Sequence, residues 1–200
     1  RVFDPPTPGF EAFLDGTQES KVVHYCDGIP IVYGRVAAVV RQRVLRRMVT
    51  WKRPACAGRL YIPRDLVPAS LWKAVVDRGY DPVNTTDAGA GQSGGDWASA
   101  DPHPFTVAQR ALDAVKRDRD RAERQLAEEW CVSQSAPLFI DGSIATSNRV
   151  AAAPNAIGVI KSHRTLYVSG AAMRVVQSLP LNHRSSVLRV DAYHRMAVAS

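Results

Sequence analysis

Apolar positions along this chain follow two periods. Between Phe10 and Pro63 they form short runs cut by Asp-Gly or by charge: a run ending at Asp15, then residues 21–25, 29 to about 40, and 59–63. Such runs read as strands, and Cys26-Asp27-Gly28 between the second and third is a hairpin turn, which gives Asp27 a turn role rather than a ligand role. Between 105 and 130 the period changes. Ala108, Ala111, Val115, Ala122, Leu126 and Trp130 recur at threes, fours and one gap of seven, so this stretch is expected to be a long helix with His103-Pro104 at its start. Its other face, 116–124, alternates in charge, as a solvated face with i,i+4 pairs does. A shorter helix is expected from Asp65 or Pro68 to Arg78. A strand follows at 136–141, a loop at 143–154, a hairpin at 156–161 with 165–168, a helix at 171–178 and a strand at 186–191. Residues 1–9 are Pro-rich and extended. Residues 81–104, rich in Gly, Ser, Asp and Thr, are expected to be a flexible loop or insertion.

Two of the strands end alike. Phe13-Leu14-Asp15-Gly16-Thr17 and Phe139-Ile140-Asp141-Gly142-Ser143 each carry an apolar run into Asp, Gly and a small hydroxyl residue. If the two strands lie side by side, two carboxylates meet at a sheet edge, an oxygen donor set suited to Mg²⁺ or Mn²⁺. Thr17 and Ser143 are expected to satisfy their turns and not to act as nucleophiles, since no Ser-His-Asp order accompanies them.

Charge and composition narrow the class. The 200 residues fit one domain, or one domain with an insertion, and are 46% hydrophobic and 22% charged. The net charge of +7 favours a polyanionic partner such as nucleic acid. The densest basic patch holds Arg41, Arg43, Arg46, Arg47, Lys52 and Arg53, with Trp51 among them. Phosphate contact, with Trp51 stacking on a base, is its functional reading, and a solvated face is the plain one. Cys26, Cys56 and Cys131 form no zinc pattern and suggest a reducing, cytoplasmic compartment. No apolar run approaches the ~20 residues needed to span a bilayer, so no membrane partner is expected. A first residue other than Met and an end inside the apolar run 196–200 suggest a piece of a longer polypeptide.

Strand with Asp, two strands, helix, strand with Asp is the element order of a ribonuclease H-like α/β core, a mixed central sheet flanked by helices. In that core the first and fourth strands are neighbours, and an acid from the intervening helix completes a carboxylate cluster around two metals about 4 Å apart. The helix offers Asp113, Asp118, Asp120, Glu123, Glu128 and Glu129. Asp118 falls on the apolar stripe and Glu123 at its flank.

The two Asp-Gly blocks, Arg121-Ala122-Glu123 in the charged helix and Ala156-Ile-Gly-Val-Ile-Lys-Ser162 together resemble the NurA nuclease family over residues 10–168, with the Gly-rich stretch as an insertion. The resemblance implies a Mn²⁺-dependent (or Mg²⁺-dependent) DNA exonuclease and endonuclease with two metals per site. It also implies a ring-like homodimer docked on a HerA-type hexameric ATPase, serving DNA end resection or anti-phage defence. Asp15 and Asp141 would be ligands, and the family spacing selects Glu123 over Asp118 as the helix acid. Lys161 would clamp the scissile phosphate, with His163 and Arg164 beside it on the nucleic acid. The family places a further His or Asp near its C-terminus. That region is expected to be missing from this chain, and His183 and His194, which could be proposed instead, each read as a surface residue in a basic stretch. Two other classes compete: a catalytically inactive nucleic-acid-binding or scaffold subunit docking on an ATPase, and a phosphate-cradling ATPase of the actin and sugar-kinase superfamily. Against the last, the first Asp-Gly segment lacks the second glycine that such a loop needs.

Overall fold

Strands β1 (Ala12–Cys26), β2 (Ile29–Val44) and β3 (Arg47–Ile62) pair antiparallel about β2, which is apolar and largely buried, whereas β1 and β3 on either side of it are more polar and exposed. The computed structural model describes residues 10–86, 103–159, 168–181 and 183–185. The β1–β2 turn is Asp27-Gly28 with φ of 50° and 83°, the pair of positive angles that a two-residue hairpin of matching twist requires. The two strands expected to end at Asp15 and to span 21–25 are one element. Polar residues after Gly16 do not break a ladder whose partner strand β2 is apolar and buried along most of its length. The basic run 41–47 likewise belongs to no helix. It rounds the β2–β3 turn at Leu45 and Arg46, with φ of 48° and 66°.

After β3 come α1 (Ala69–Asp77), a two-residue strand β4 (Val83–Asn84) parallel to β3, and α2 (Pro104–Ser133). Strand β4 corrects part of the loop expected over 81–104, whose residues 87–102 lie outside the described residues. β5 (Leu138–Asp141) follows, then α3 (Asn148–Ala152) and β6 (Ala156–Val159). α3 stands where a loop was expected. Ser147 starts it, its hydroxyl accepting from Val150 N at 3.3 Å and donating to Glu128 Oε1 at 2.6 Å. The sheet order is β4-β3-β2-β1-β5-β6, and β5 runs parallel to β1.

α2 packs its stripe, Val107, Ala111, Ala114, Val115, Leu126, Ala127 and Trp130, onto the alternate buried residues of the sheet, among them Leu14, Val32, Val36, Val40 and Leu138. Trp130 is fully buried, and its indole donates to Ala136 O at 2.9 Å, fixing the chain where it leaves α2 for β5. Residues Phe10–Gly158 form one unit, and α4 (Gly170–Gln177) belongs to a second. Among the described residues no helix is long and apolar enough to cross a membrane. The expected strand at 186–191 lies outside the described residues, as does 165–168 apart from Val168.

Candidate metal centre at the ends of β1 and β5

The parallel register Ala12↔Leu138, Phe13↔Phe139, Leu14↔Ile140 stops one residue short of the two aspartates. Asp15 and Asp141 are therefore the next facing pair on adjacent strands, whose spacing is about 4.8 Å. Both are exposed, while Leu14 at 2% and Ile140 at 8% are sealed under α2. The repeated motif thus lies side by side in the interior of the sheet, with Asp15 inside β1 and Asp141 the last residue of β5. Asp15 Oδ1 accepts from Gly16 N at 2.9 Å.

The two glycines of the motif serve different purposes. Gly142 has φ of 109°, a conformation closed to residues with a side chain, and its carbonyl passes so close to Gly158 that a Cβ there would stand 2.7 Å from it. Gly16 has ordinary strand geometry. A Cβ on it would instead run into Glu123, standing 2.7 Å from Cδ and 2.8 Å from Cγ. The missing side chain at 16 is the gap through which α2 brings Glu123 down beside β1. Gly16→Ala is accordingly expected to displace Glu123 while leaving the backbone unstrained. The melting temperature should be nearly unchanged, and a crystal structure of the variant should show the Glu123 carboxylate moved away from β1.

The other helix acids have structural partners. Asp118, on the apolar stripe and 11% exposed, accepts from Tyr61 Oη at 2.8 Å and pairs with Arg59 Nη1 at 3.4 Å and Arg121 Nη1 at 3.0 Å. Burial first, and then this bond, push the Tyr61 hydroxyl pKa upward. Glu128 holds Ser147, and Glu129 meets Lys52 and Gln125. Asp113 accepts from Gln109, leaving Asp120 and Glu123 as the helix acids that share a cleft with Asp141.

These two face a cleft of about 220 Å³ that also takes in Asp141, Lys116, Arg119 and Arg124. Burial raises the Glu123 pKa above its ordinary value. The nearby Arg119 opposes that, and the charges of Asp120, Asp15 and Asp141 add to it. Burial pushes Asp120 up as well, but its bonds to Lys116 and Arg119 outweigh that and leave it lowered. Arg119 is the hinge of the cluster, with Nη2 at 2.7 Å from Asp120 Oδ1 and Nε at 3.6 Å from Glu123 Oε1. Among the described residues, no three His, Cys, Asp or Glu side chains stand close enough together to hold a metal as placed. The donors fit a hard cation in kind, being carboxylates on β1, β5 and α2. In arrangement, Glu123 lies against Arg119 and shares its cleft with Asp141, whereas Asp15 borders a separate hollow with Arg41 and Thr50. A larger hollow of about 490 Å³ over the β1–β2–β3 face contains one carboxylate, Glu19, and offers no comparable donor set.

On the basic patch, Arg41 is tied into its own hairpin, donating to Thr50 Oγ1 at 3.0 Å and Met48 O at 2.7 Å. Arg43, Arg46 and Arg47 are exposed. Trp51 is half-buried, packed edge-on against Trp130 at 5.0 Å with Lys52 Nζ 4.5 Å over its ring, so the ring expected to stack on a base is committed to the edge of the core. At the level of Asp15 the β2–β3 ladder bulges, Ala38↔Ala55 being followed by Val40↔Trp51, with Lys52 at φ of 54°. His183 Nδ1 lies 3.0 Å from Leu181 O, in the second unit. Lys161, His163, Arg164 and His194 lie outside the described residues.

Sequence reasoning passed over Arg119, and counted Asp120 among the helix acids without singling it out. The signal available for Arg119 was its place one helical turn before Glu123. No protein-family model matches this chain, and neither a curated protein nor a solved structure matches it.

Proposed function

We propose that the protein is a metal-dependent deoxyribonuclease of the NurA type, hydrolysing phosphodiester bonds at the Asp15, Asp141 and Glu123 cluster. One observation carries the reading: the two Asp-Gly strands are adjacent, parallel and in register, with a helix carboxylate set against the glycine of the first. The sheet order supports it, because β3-β2-β1-β5-β6 with the first three antiparallel is the order of a ribonuclease H-like core.

Asp15, Asp141 and Glu123 would hold Mn²⁺ or Mg²⁺, which when bound lowers the pKa of a water and neutralises charge on the phosphodiester oxygens. The chain's own residues do the rest. Asp15 and Asp141 would fix two donors on adjacent strands, and Glu123 would supply a third from a helix held by the Trp130 and Leu126 core. Arg119 balances Glu123 and Asp120 before substrate enters, and with Lys116 and Arg124 it gives the cleft positive charge against which a phosphate can lie. Lys161 would add a further cation, as the family pattern implies. The free thiols of Cys26, Cys56 and Cys131 accord with a reducing, cytoplasmic setting, and a homodimer fed by a HerA-type ATPase, in end resection or anti-phage defence, completes the reading.

A second reading, a catalytically inactive subunit that binds nucleic acid and docks on an ATPase, is favoured by the engagement of Glu123 with Arg119. Digestion of plasmid and linear DNA with Mn²⁺ and with EDTA separates the two. Cleavage with Mn²⁺ that EDTA removes supports the nuclease, and binding without cleavage supports the inactive subunit. Affinity should fall by about three orders of magnitude between 50 and 200 mM salt if about six phosphates are contacted. Charge reversal at Arg46 and Arg47 should flatten that slope by about two contacts and leave Mn²⁺ affinity unchanged, as salt titrations by fluorescence anisotropy would report.

A further inference from the structure

The turn between β2 and β3 departs from the chain's own practice. At the β1–β2 turn the two positive-φ positions are Asp27 and Gly28, residue types that suit them. At the β2–β3 turn the same conformation falls on Leu45 and Arg46, which do not suit it. Leu45 gains no burial in return, since 92% of its surface is exposed, and Val44, Met48 and Val49 behind it are exposed too. Among the described residues the side chains of Arg43, Arg46 and Arg47 have no hydrogen bond or ion pair, and no Asp or Glu occurs between Asp27 and Asp65. A strained, solvent-facing leucine flanked in sequence by unneutralised arginines at a hairpin tip has a recognisable chemistry: cations for phosphates and an apolar tip for the faces of bases.

We propose that the β2–β3 hairpin is a strand-separating wedge, its arginines gripping the backbones of duplex DNA while Leu45 inserts between base pairs and unstacks them. Asp15 pairs with Val39, and Leu45 lies six residues further along β2, roughly 20 Å at 3.3 Å per residue. At 3.4 Å per base step that is about six base pairs, so the wedge opens the duplex about half a helical turn from the carboxylates. This rests on the nucleic-acid part of the proposed function and not on the metal site.

The test uses the full chain in EDTA, so that nothing is cut, with a DNA duplex carrying 2-aminopurine within its terminal base pairs. Binding of the wild type should raise 2-aminopurine fluorescence severalfold as the base unstacks. Leu45→Asn, which suits the left-handed turn, should fold with an equal or higher melting temperature and bind within about twofold by anisotropy, yet lose that rise. Leu45→Met should keep it. Unstacking undiminished in Leu45→Asn overturns the wedge. So does saturable wild-type binding with no fluorescence rise, or a Leu45→Asn that turns a dimer into a monomer while still unstacking, which assigns Leu45 to a contact between copies. Absence of any DNA binding by the wild type would instead remove the nucleic-acid reading on which the wedge depends.

Discussion

Asp141→Asn is expected to abolish Mn²⁺-dependent DNA cleavage while leaving the fold as stable as before. The asparagine keeps the shape of the side chain and its capacity to accept a hydrogen bond, but it no longer offers a charged oxygen to a hard cation. Metal stabilisation of a phosphodiester transition state is worth several kcal/mol, and each 1.36 kcal/mol is a factor of ten, so the rate should drop by about three orders of magnitude or more. Stability should change little because Asp141 is exposed and the substitution keeps the size of the side chain. Asp15→Asn should behave in the same way. Initial rates at saturating Mn²⁺, with thermal melting of the same samples, check both. An Asp141→Asn enzyme retaining a tenth of wild-type activity would place the chemistry elsewhere.

Glu123→Gln should lose activity and gain stability. Burial and the nearby carboxylates hold the folded-state pKa of Glu123 above its ordinary 4.5, despite Arg119. Between the unfolded and the folded value the native protein keeps a proton that the unfolded chain has released, so stability falls as pH rises through that window. The penalty is complete above the folded pKa. Gln carries no charge to desolvate. The variant should therefore melt at a higher temperature than wild type at pH 7–8, and the gap should close below about pH 4.5, where both side chains are neutral in either state. Added Mn²⁺ should reverse the order. Saturation at a hundred times Kd stabilises the wild type by about 2.7 kcal/mol, a rise of roughly 5–10 °C for a chain of this size, and should leave Glu123→Gln nearly unmoved. Cleavage should fall about a hundredfold. Melting curves across pH, with and without Mn²⁺, read each part of this separately.

The elements that hold the centre were legible because their signals are local. The second Asp-Gly motif marked the end of β5 and the 3.6-residue period marked α2, whereas the first Asp-Gly motif lies inside β1. The strand order followed from the sequence of elements. What was missed depends on partners far away in the chain. β1 runs on through Gln18, Glu19 and Ser20 because β2 supplies a buried ladder to pair with, which the polar residues of β1 do not announce. Trp51 looked like a stacking residue beside arginines, yet a second tryptophan, 79 positions later, claims its ring. The two glycines of an identical motif could not be told apart in sequence either. One answers a backbone angle and the other makes room for a glutamate on a helix more than a hundred residues away.

The most direct measurement is a crystal of the protein soaked in Mn²⁺ and recorded at the manganese absorption edge. An anomalous peak is expected between β1 and β5, within about 2.2 Å of carboxylate oxygens from both Asp15 and Asp141, with Glu123 turned from Arg119 toward the metal. A cleft that stays free of manganese while Arg119 keeps Glu123, or manganese bound at another group, would contradict it.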